Sequence, residues 1–222
     1  MQISLTNAGK SFNREWIFFN LDYQFYPNTI YAITGPNGSG KSTLLQVLSG
    51  SMVLNKGICS WKLNNEDIEP DKVHNHVAVA APYLEVIEEM TAREFLTFHS
   101  NFKSYINTFS IEAILKEANL LHAANKQVRF FSSGMKQRLK LAQAIFSDVP
   151  VILLDEPCTN LDTAGFELYY KWINEYCSNR LVIISSNDKN EYSFASRELN
   201  ILNFKKYSKE ETQIVEKVIG LK

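Results

Sequence analysis

One nine-residue stretch restricts this chain more than any other. Gly35-Pro36-Asn37-Gly38-Ser39-Gly40-Lys41-Ser42-Thr43 satisfies the pattern G-x-x-x-x-G-K-[ST] at every fixed position. It follows an apolar run, Ile30-Tyr31-Ala32-Ile33-Thr34, that reads as a buried strand. Glycines accept the backbone angles that turn successive N–H groups inward, so a polyanion meets a nest of donors at a helix N-terminus. In such a loop the lysine, Lys41, reaches the outer phosphates, and the hydroxyl after it, Ser42, holds Mg²⁺. Gly35, Asn37, Gly38, Ser39, Gly40, Lys41, Ser42 and Thr43 are therefore the candidate binding residues for a nucleoside triphosphate. By accident the four fixed positions coincide in roughly 1% of chains of this size. Three of the nine glycines fall between Gly35 and Gly40, which leaves a plain Gly-rich turn as the weaker alternative.

Around this loop the pattern is that of an α/β protein. Residues 2–26 alternate as β structure punctuated by Gly9 and Asn13, and Pro27-Asn28 turns the chain toward the strand before the loop. A helix is predicted from Lys41 to about Ser49 with Leu44, Leu45 and Leu48 on one face. Residues 57–63 alternate as a half-exposed strand and Asn64-Asn65 turns. Val77-Ala78-Val79-Ala80-Ala81 is an apolar strand stopped by Pro82. From Thr91 to about Leu121 the composition is helical, with Ser110 a candidate N-cap. A further helix is expected from Gly134 to Ser147. Val151-Ile152-Leu153-Leu154 and Leu181-Val182-Ile183-Ile184 are unbroken apolar runs, the composition of parallel strands covered on both faces, with a crossover helix from Ala164 to Cys177 between them. Residues 199–204 alternate as a last strand, and Ser208 with Glu211 reads as a capping box opening a final helix.

With 222 residues there is room for one substantial core, so one nucleotide-binding unit per chain is expected. A formal charge of −1 provides no electrostatic footprint for nucleic acid, and no nucleic-acid partner is expected. No apolar run approaches the length needed to cross a bilayer, and Met1-Gln2-Ile3-Ser4-Leu5 lacks a basic leader, so a cytoplasmic location is expected. Cys59, Cys158 and Cys177 lack metal-ligand spacing and read as packing thiols.

A second constellation closes the apolar run at 151–154: Asp155-Glu156-Pro157. A carboxylate at the C-terminal edge of a parallel strand sits where open α/β sheets bind ligands. Asp155 is expected to hold the Mg²⁺ shell and Glu156 to act as general base or water orienter. Taken alone, the pair could be a strand end followed by solvated acids.

At this point the chain resembles the ATP-binding subunits of ABC transporters, over nearly its whole length. The discriminating segment is Phe131-Ser132-Ser133-Gly134-Met135-Lys136-Gln137-Arg138, 23 residues before Asp155 when counted from Ser132, which looks like the family's signature sequence followed by its usual Gln-Arg. Ser132, Ser133 and Gly134 at a helix N-terminus form a second anion site, though Ser-Ser-Gly could also be only a cap. The resemblance implies that this site closes in trans on the γ-phosphate of ATP held by a partner subunit. Asn160-Leu161-Asp162 resembles the family's dimer-contact loop. Phe12, 29 residues before Lys41, falls where the family places the aromatic that stacks on adenine, and could equally be core.

The resemblance further implies a P-loop NTPase (RecA-like) core with a mostly parallel sheet, an N-terminal antiparallel β layer and a helical insert. Residues 1–87 and 149–222 would form the core with its β layer, and 88–148 the helical subdomain with the signature. It implies ATP and Mg²⁺ as cofactors, a second ABC ATPase subunit (homo- or heterodimer) and a separate transmembrane permease as partners, and a peripheral place on the inner face of the cell membrane. The short run after the core, without an added regulatory domain, favours an exporter-like or simple system.

Two positions depart from the family. Its usual Gln at the end of the strand before the helical subdomain is Pro82 here, and no Gln lies between Gln46 and Gln127; Glu85 is a possible substitute or a solvated acid. The switch histidine is Asn187, which donates a hydrogen bond but cannot become cationic, and none of the four histidines lies beyond residue 122. Hydrolysis is expected to persist, at reduced speed, with Glu156 and Asn187 as its catalytic residues.

Overall fold

The computed structural model describes residues 1–13, 15–107 and 109–205. Its centre is a five-stranded sheet built from Ile30–Thr34 (β3), Val77–Ala80 (β6), Val151–Asp155 (β7), Leu181–Ser185 (β8) and Arg197–Asn200 (β9), in the order β6-β7-β8-β3-β9. Every pairing in it is parallel. All five residues of β7 and all five of β8 are buried, as their unbroken apolar sequences require of strands covered on both faces.

The two faces bury different sets of side chains because successive residues point opposite ways. Tyr31, Ile33, Leu153 and Ile183 face the helix Lys41–Leu48 (α1) and, beyond it, a four-stranded antiparallel sheet. That sheet comprises Gln2–Phe12 (β1), Glu15–Phe25 (β2), Lys56–Leu63 (β4) and Glu66–Ile68 (β5), in the order β2-β1-β4-β5. Ala32, Ile152, Leu154, Val182 and Ile184 face the other way, onto Ala92–Ser100 (α2), Ile111–Glu117 (α3), Ser133–Ile145 (α4) and Thr163–Tyr176 (α5). Leu44, Leu45 and Leu48 of α1, and Leu139, Leu141, Ala142 and Ile145 of α4, are fully buried as their spacing implies.

Helix starts follow local chemistry. Thr91 and Glu94 form a reciprocal capping box before α2. Ser110 accepts the Ala113 N–H at 3.2 Å before α3, as expected from sequence. Each such cap contributes about 1 kcal/mol. The short strand β5 has no counterpart in the sequence reading. It exists because Asn64 and Asn65 both adopt left-handed angles (φ 52° and 68°), the geometry of a tight hairpin that returns the chain along β4.

One boundary needs correction. Residues 199–204 are not one strand: β9 ends at Asn200, whose side chain accepts the Leu202 N–H at 3.0 Å and turns Ile201–Phe204 into a 3-10 helix. Leu199 and Ile201 are both buried, so a strand end followed by a turn imitates strand alternation. The proposed capping box at Ser208 and Glu211 lies outside the described residues. Cys59, Cys158 and Cys177 are free thiols. Among the described residues no helix is long and apolar enough to cross a membrane.

Candidate nucleotide site

The loop 35–40 leaves β3 at the C-terminal edge of the parallel sheet and enters α1. Its three glycines all take positive φ, 145° at Gly35, 75° at Gly38 and 105° at Gly40. Gly40 is needed twice over: its angle is left-handed, and a Cβ there would lie 2.2 Å from Cγ2 of Ile17 on β2. The antiparallel layer thus presses directly on the loop.

Lys41 is only 5% exposed, and its Nζ donates to the carbonyls of Gly35 (2.9 Å) and Pro36 (3.3 Å). The ammonium is thereby held inside the loop with its charge directed at the loop's own concavity. A cavity of about 320 Å³ opens there, lined by Asn37, Gly38, Gly40, Lys41, Ser42 and Thr43, by Ile17, and by Glu156 from the far strand. Gly35 and Ser39 lie just behind this lining. Ser39 is buried and its Oγ is unpartnered among the described residues.

Glu156 lines this cavity, and Asp155 is its chain neighbour at the end of β7, two strands from β3. Asp155 is 2% exposed, and its Oδ1 has no hydrogen-bond partner among the described residues. A buried carboxylate oxygen left without a donor is costly, and a hydrated divalent cation removes that cost. The donor set, the Ser42 hydroxyl and the Asp155 carboxylate, is the hard oxygen chemistry that Mg²⁺ takes, so the residues present fit it. Glu156 adopts φ 44°, an angle costing a non-glycine residue about 1–2 kcal/mol. It is held there by its own N–H, which donates to the Ser185 carbonyl at 2.8 Å.

Asn187, on the loop leaving β8, donates through Nδ2 to Oδ1 of Asn37 at 3.1 Å. The sheet therefore brings together the phosphate loop, Glu156 and Asn187, with Asp155 buried next to Glu156 at the end of β7. It does not bring Ser132, Ser133, Gly134 or Phe12 into the same cavity. Ser132 and Ser133 are exposed at the start of α4. The Ser132 Oγ accepts the Met135 N–H at 3.2 Å, which leaves its own proton free to donate outward. A Cβ on Gly134 would come within 3.0 Å of the Asn160 carbonyl, so the signature segment packs closely on the loop that follows β7. Phe12 is 45% exposed at the end of β1, with the Lys10 ammonium 5.1 Å from its ring centroid. A surface aromatic backed by a cation is not a core residue.

Sequence reasoning gives no role to Ile17, Tyr83 or Glu191, and names Gln137 only as part of the signature segment. Ile17 was invisible because alternation along β2 says nothing of what its side chain meets. Tyr83 follows Pro82, lies near the Gln46 side chain of α1, and is pushed up to about 12 by burial and then by the nearby Asp155 charge. Glu85 lines a separate cavity of about 250 Å³ with Phe95, His99 and Lys140, away from the phosphate loop. Gln137 and Glu191, both buried, contact the loop after β7 from opposite sides. Burial, then the charges of Asp188 and Glu156, raise Glu191 above the usual carboxylate range.

A parallel sheet whose edge carries a glycine loop, an enclosed lysine and a strand-end carboxylate pair defines a phosphate-loop nucleotide-binding protein. The sequence pattern of the ABC transporter family matches residues 18–159. The chain belongs to that family, and within it is an ATP-binding cassette of the ABC ATPase type. It is 30% identical over 191 residues to the uncharacterized ABC transporter ATP-binding protein YybJ of Bacillus subtilis, covering 85% of this chain and 87% of that one. It is 28% identical over 187 residues to ABC transporter A family member 7 of Dictyostelium discoideum, covering 83% of this chain but 22% of that much longer protein. Its fold superposes on the dimeric structure of the bacterial ABC transporter cassette MJ0796 with a TM-score of 0.76 at 24% identity, over 90% of this chain and 94% of the other.

Proposed function

We propose that this cassette binds ATP with Mg²⁺, pairs with a second ATPase subunit around two nucleotides, and uses closure and hydrolysis to drive a separate membrane permease. It would then lie at the inner face of the membrane, held there by that permease. The observation that carries the proposal is the division of the site: Lys41, Ser42 and Glu156 line one cavity, while the serine-tipped start of α4 is exposed and takes no part in that lining. An exposed helix N-terminus outside the cavity is free to take a phosphate held by another copy. The dimeric form of the MJ0796 cassette supports the same arrangement.

In this scheme the loop amides and Lys41 hold the outer phosphates. Ser42 and Asp155 would hold Mg²⁺, which when bound neutralises the phosphate oxygens as the leaving group departs. Phe12 presents an exposed ring to the adenine. Glu156 orients the attacking water and takes its proton, and Asn187 donates to the γ-phosphate while Asn37 holds its amide in place. Residues 88–148 would form the helical subdomain that carries Ser132–Gly134 to the partner, and the rest of the described residues the core.

A second reading, a nucleotide-gated dimerisation module with weak hydrolysis, rests on Asn187: an amide cannot supply the positive charge of an imidazolium. Steady-state ATP turnover of the purified chain separates the two. Turnover lost in Glu156→Gln supports the ATPase motor, and turnover unaffected by that change contradicts it.

A further inference from the structure

The peptide unit between Pro157 and Cys158 is gripped at both ends. Its carbonyl, Pro157 O, accepts from Nε2 of Gln137 on α4 at 2.6 Å. Its amide, Cys158 N, donates to Oε1 of Glu191 at 3.1 Å. Gln137 and Glu191 are 7% and 6% exposed, so neither bond is weakened by competing water. A peptide is planar, and a plane held at its two opposite poles cannot rotate unless one of the two partners moves with it.

Each partner leads to a different part of the site. Gln137 sits on α4 five residues after its N-cap, Ser132. Glu191 lies in the turn that follows Asn187: its N–H donates to Asp188 O at 3.0 Å, and its carbonyl accepts the Tyr169 hydroxyl of α5 at 2.8 Å. The gripped peptide is joined to Glu156 through Pro157 alone, and the left-handed Glu156 backbone is fixed on its other side by Ser185. The Thr159 N–H closes the same loop onto the Glu156 carbonyl at 3.2 Å.

We propose that Gln137 and Glu191 are positioning residues that act through the Pro157–Cys158 peptide, keeping Glu156 and Asn187 of one nucleotide site in step with the helix end that serves the other. A displacement of α4 when Ser132 meets a partner's phosphate pulls on Pro157 O, and the same plane shifts Glu156 and, through Glu191, the loop of Asn187. This inference rests on the two-site reading above, and it assigns the coupling between sites to two hydrogen bonds.

The test is a double-mutant cycle on the full chain with three readouts: ATP turnover, affinity for a fluorescent ATP analogue, and amide exchange at Cys158. Gln137→Met and Glu191→Leu are each expected to slow turnover by about 2- to 30-fold, the span a coupling residue commands. Nucleotide affinity is expected to stay within about twofold, and the double variant to be no slower than the worse single one, because both break one relay. Glu191→Gln keeps an acceptor for Cys158 N and is expected to retain wild-type turnover within about twofold. Additive losses, losses mirrored in nucleotide affinity, or a Glu191→Gln variant as slow as Glu191→Leu would each overturn the proposal. Should Glu191→Leu not fold, Gln137→Met still decides: the Cys158 amide, which Gln137 never touches, must exchange faster, and unchanged exchange refutes the relay. A wild-type chain without ATP turnover would instead overturn the functional reading, leaving amide exchange to judge the relay alone.

Discussion

Asn187 and Asn37 join two loops that are 150 residues apart in sequence: the amide of one donates to the amide oxygen of the other at 3.1 Å across the mouth of the phosphate cavity. The bond uses one amide hydrogen of Asn187 and leaves the other available, in the proposed function, to a phosphate oxygen. The arrangement is uncharged at every pH where the protein is folded.

Replacing Asn187 by histidine therefore tests what the missing cation costs. Turnover is expected to rise, by up to about 10²-fold, the lower end of what a positioned proton-handling group contributes. The gain should fade above about pH 7 as the imidazole loses its proton. A pH–rate profile checks this, and an unchanged, pH-flat rate would show that the amide already performs the whole task.

Gly40→Ala is expected to be severe, because φ 105° and the 2.2 Å approach to Ile17 penalise the same atom. A stability loss above about 1 kcal/mol follows from the angle alone. Adding Ile17→Ala removes the clash but not the angle, so it should restore only part of the loss in a urea titration. Lys41→Ala, in contrast, should leave stability nearly intact and abolish binding of the ATP analogue.

The pH dependence of stability should carry the mark of His99. Ser147 Oγ donates to the Gln143 carbonyl at 2.7 Å and so is left to accept from Nε2–H of His99, while Nδ1 accepts from the Gln143 amide. Burial first, then the Lys103 charge, push His99 down to about 4. Because the folded value lies below the ordinary 6.5, the contribution is fully present above about pH 6.5 and is lost as pH falls toward 4. With partial exposure discounted, this amounts to about 1–2 kcal/mol, or roughly 2–8 °C in melting temperature. His99→Gln should flatten the wild-type slope in that window, and an unchanged slope would assign it elsewhere.

How much of this was legible beforehand follows from how local each signal is. The phosphate loop, β7 with Asp155 and Glu156, and the cap at Ser132 are written in consecutive residues, so their types and spacing could be read directly. The hairpin at Asn64-Asn65 and the break after Asn200 depend on backbone angles and on one side-chain bond, which alternation of apolar residues does not report. Gln137, Glu191 and Tyr83 gain their meaning only from neighbours 20 to 37 residues away or more. Nothing in the immediate sequence of Glu191 or Tyr83 distinguishes them from ordinary polar side chains, and the signature pattern that marks Gln137 does not say that it bonds Pro157 O.

Gly134→Ala should separate dimer contacts from nucleotide binding. A Cβ there meets the Asn160 carbonyl at 3.0 Å and pushes α4 away from the loop after β7. Affinity of the isolated chain for the ATP analogue is expected to hold within about twofold, while ATP-dependent pairing weakens by roughly 10-fold or more, since about 1.4 kcal/mol of displacement cost suffices for that. Equal losses in both would place Gly134 inside the primary site.

The most direct measurement is the molecular mass of Glu156→Gln by light scattering, with and without Mg-ATP. If two copies enclose two nucleotides, the variant holds its ATP unhydrolysed and its mass doubles on ATP addition, and Ser132→Arg at the outward helix end abolishes the doubling. A mass that remains that of one 25.4 kDa chain at saturating Mg-ATP, or a doubling indifferent to Ser132→Arg, would contradict the account.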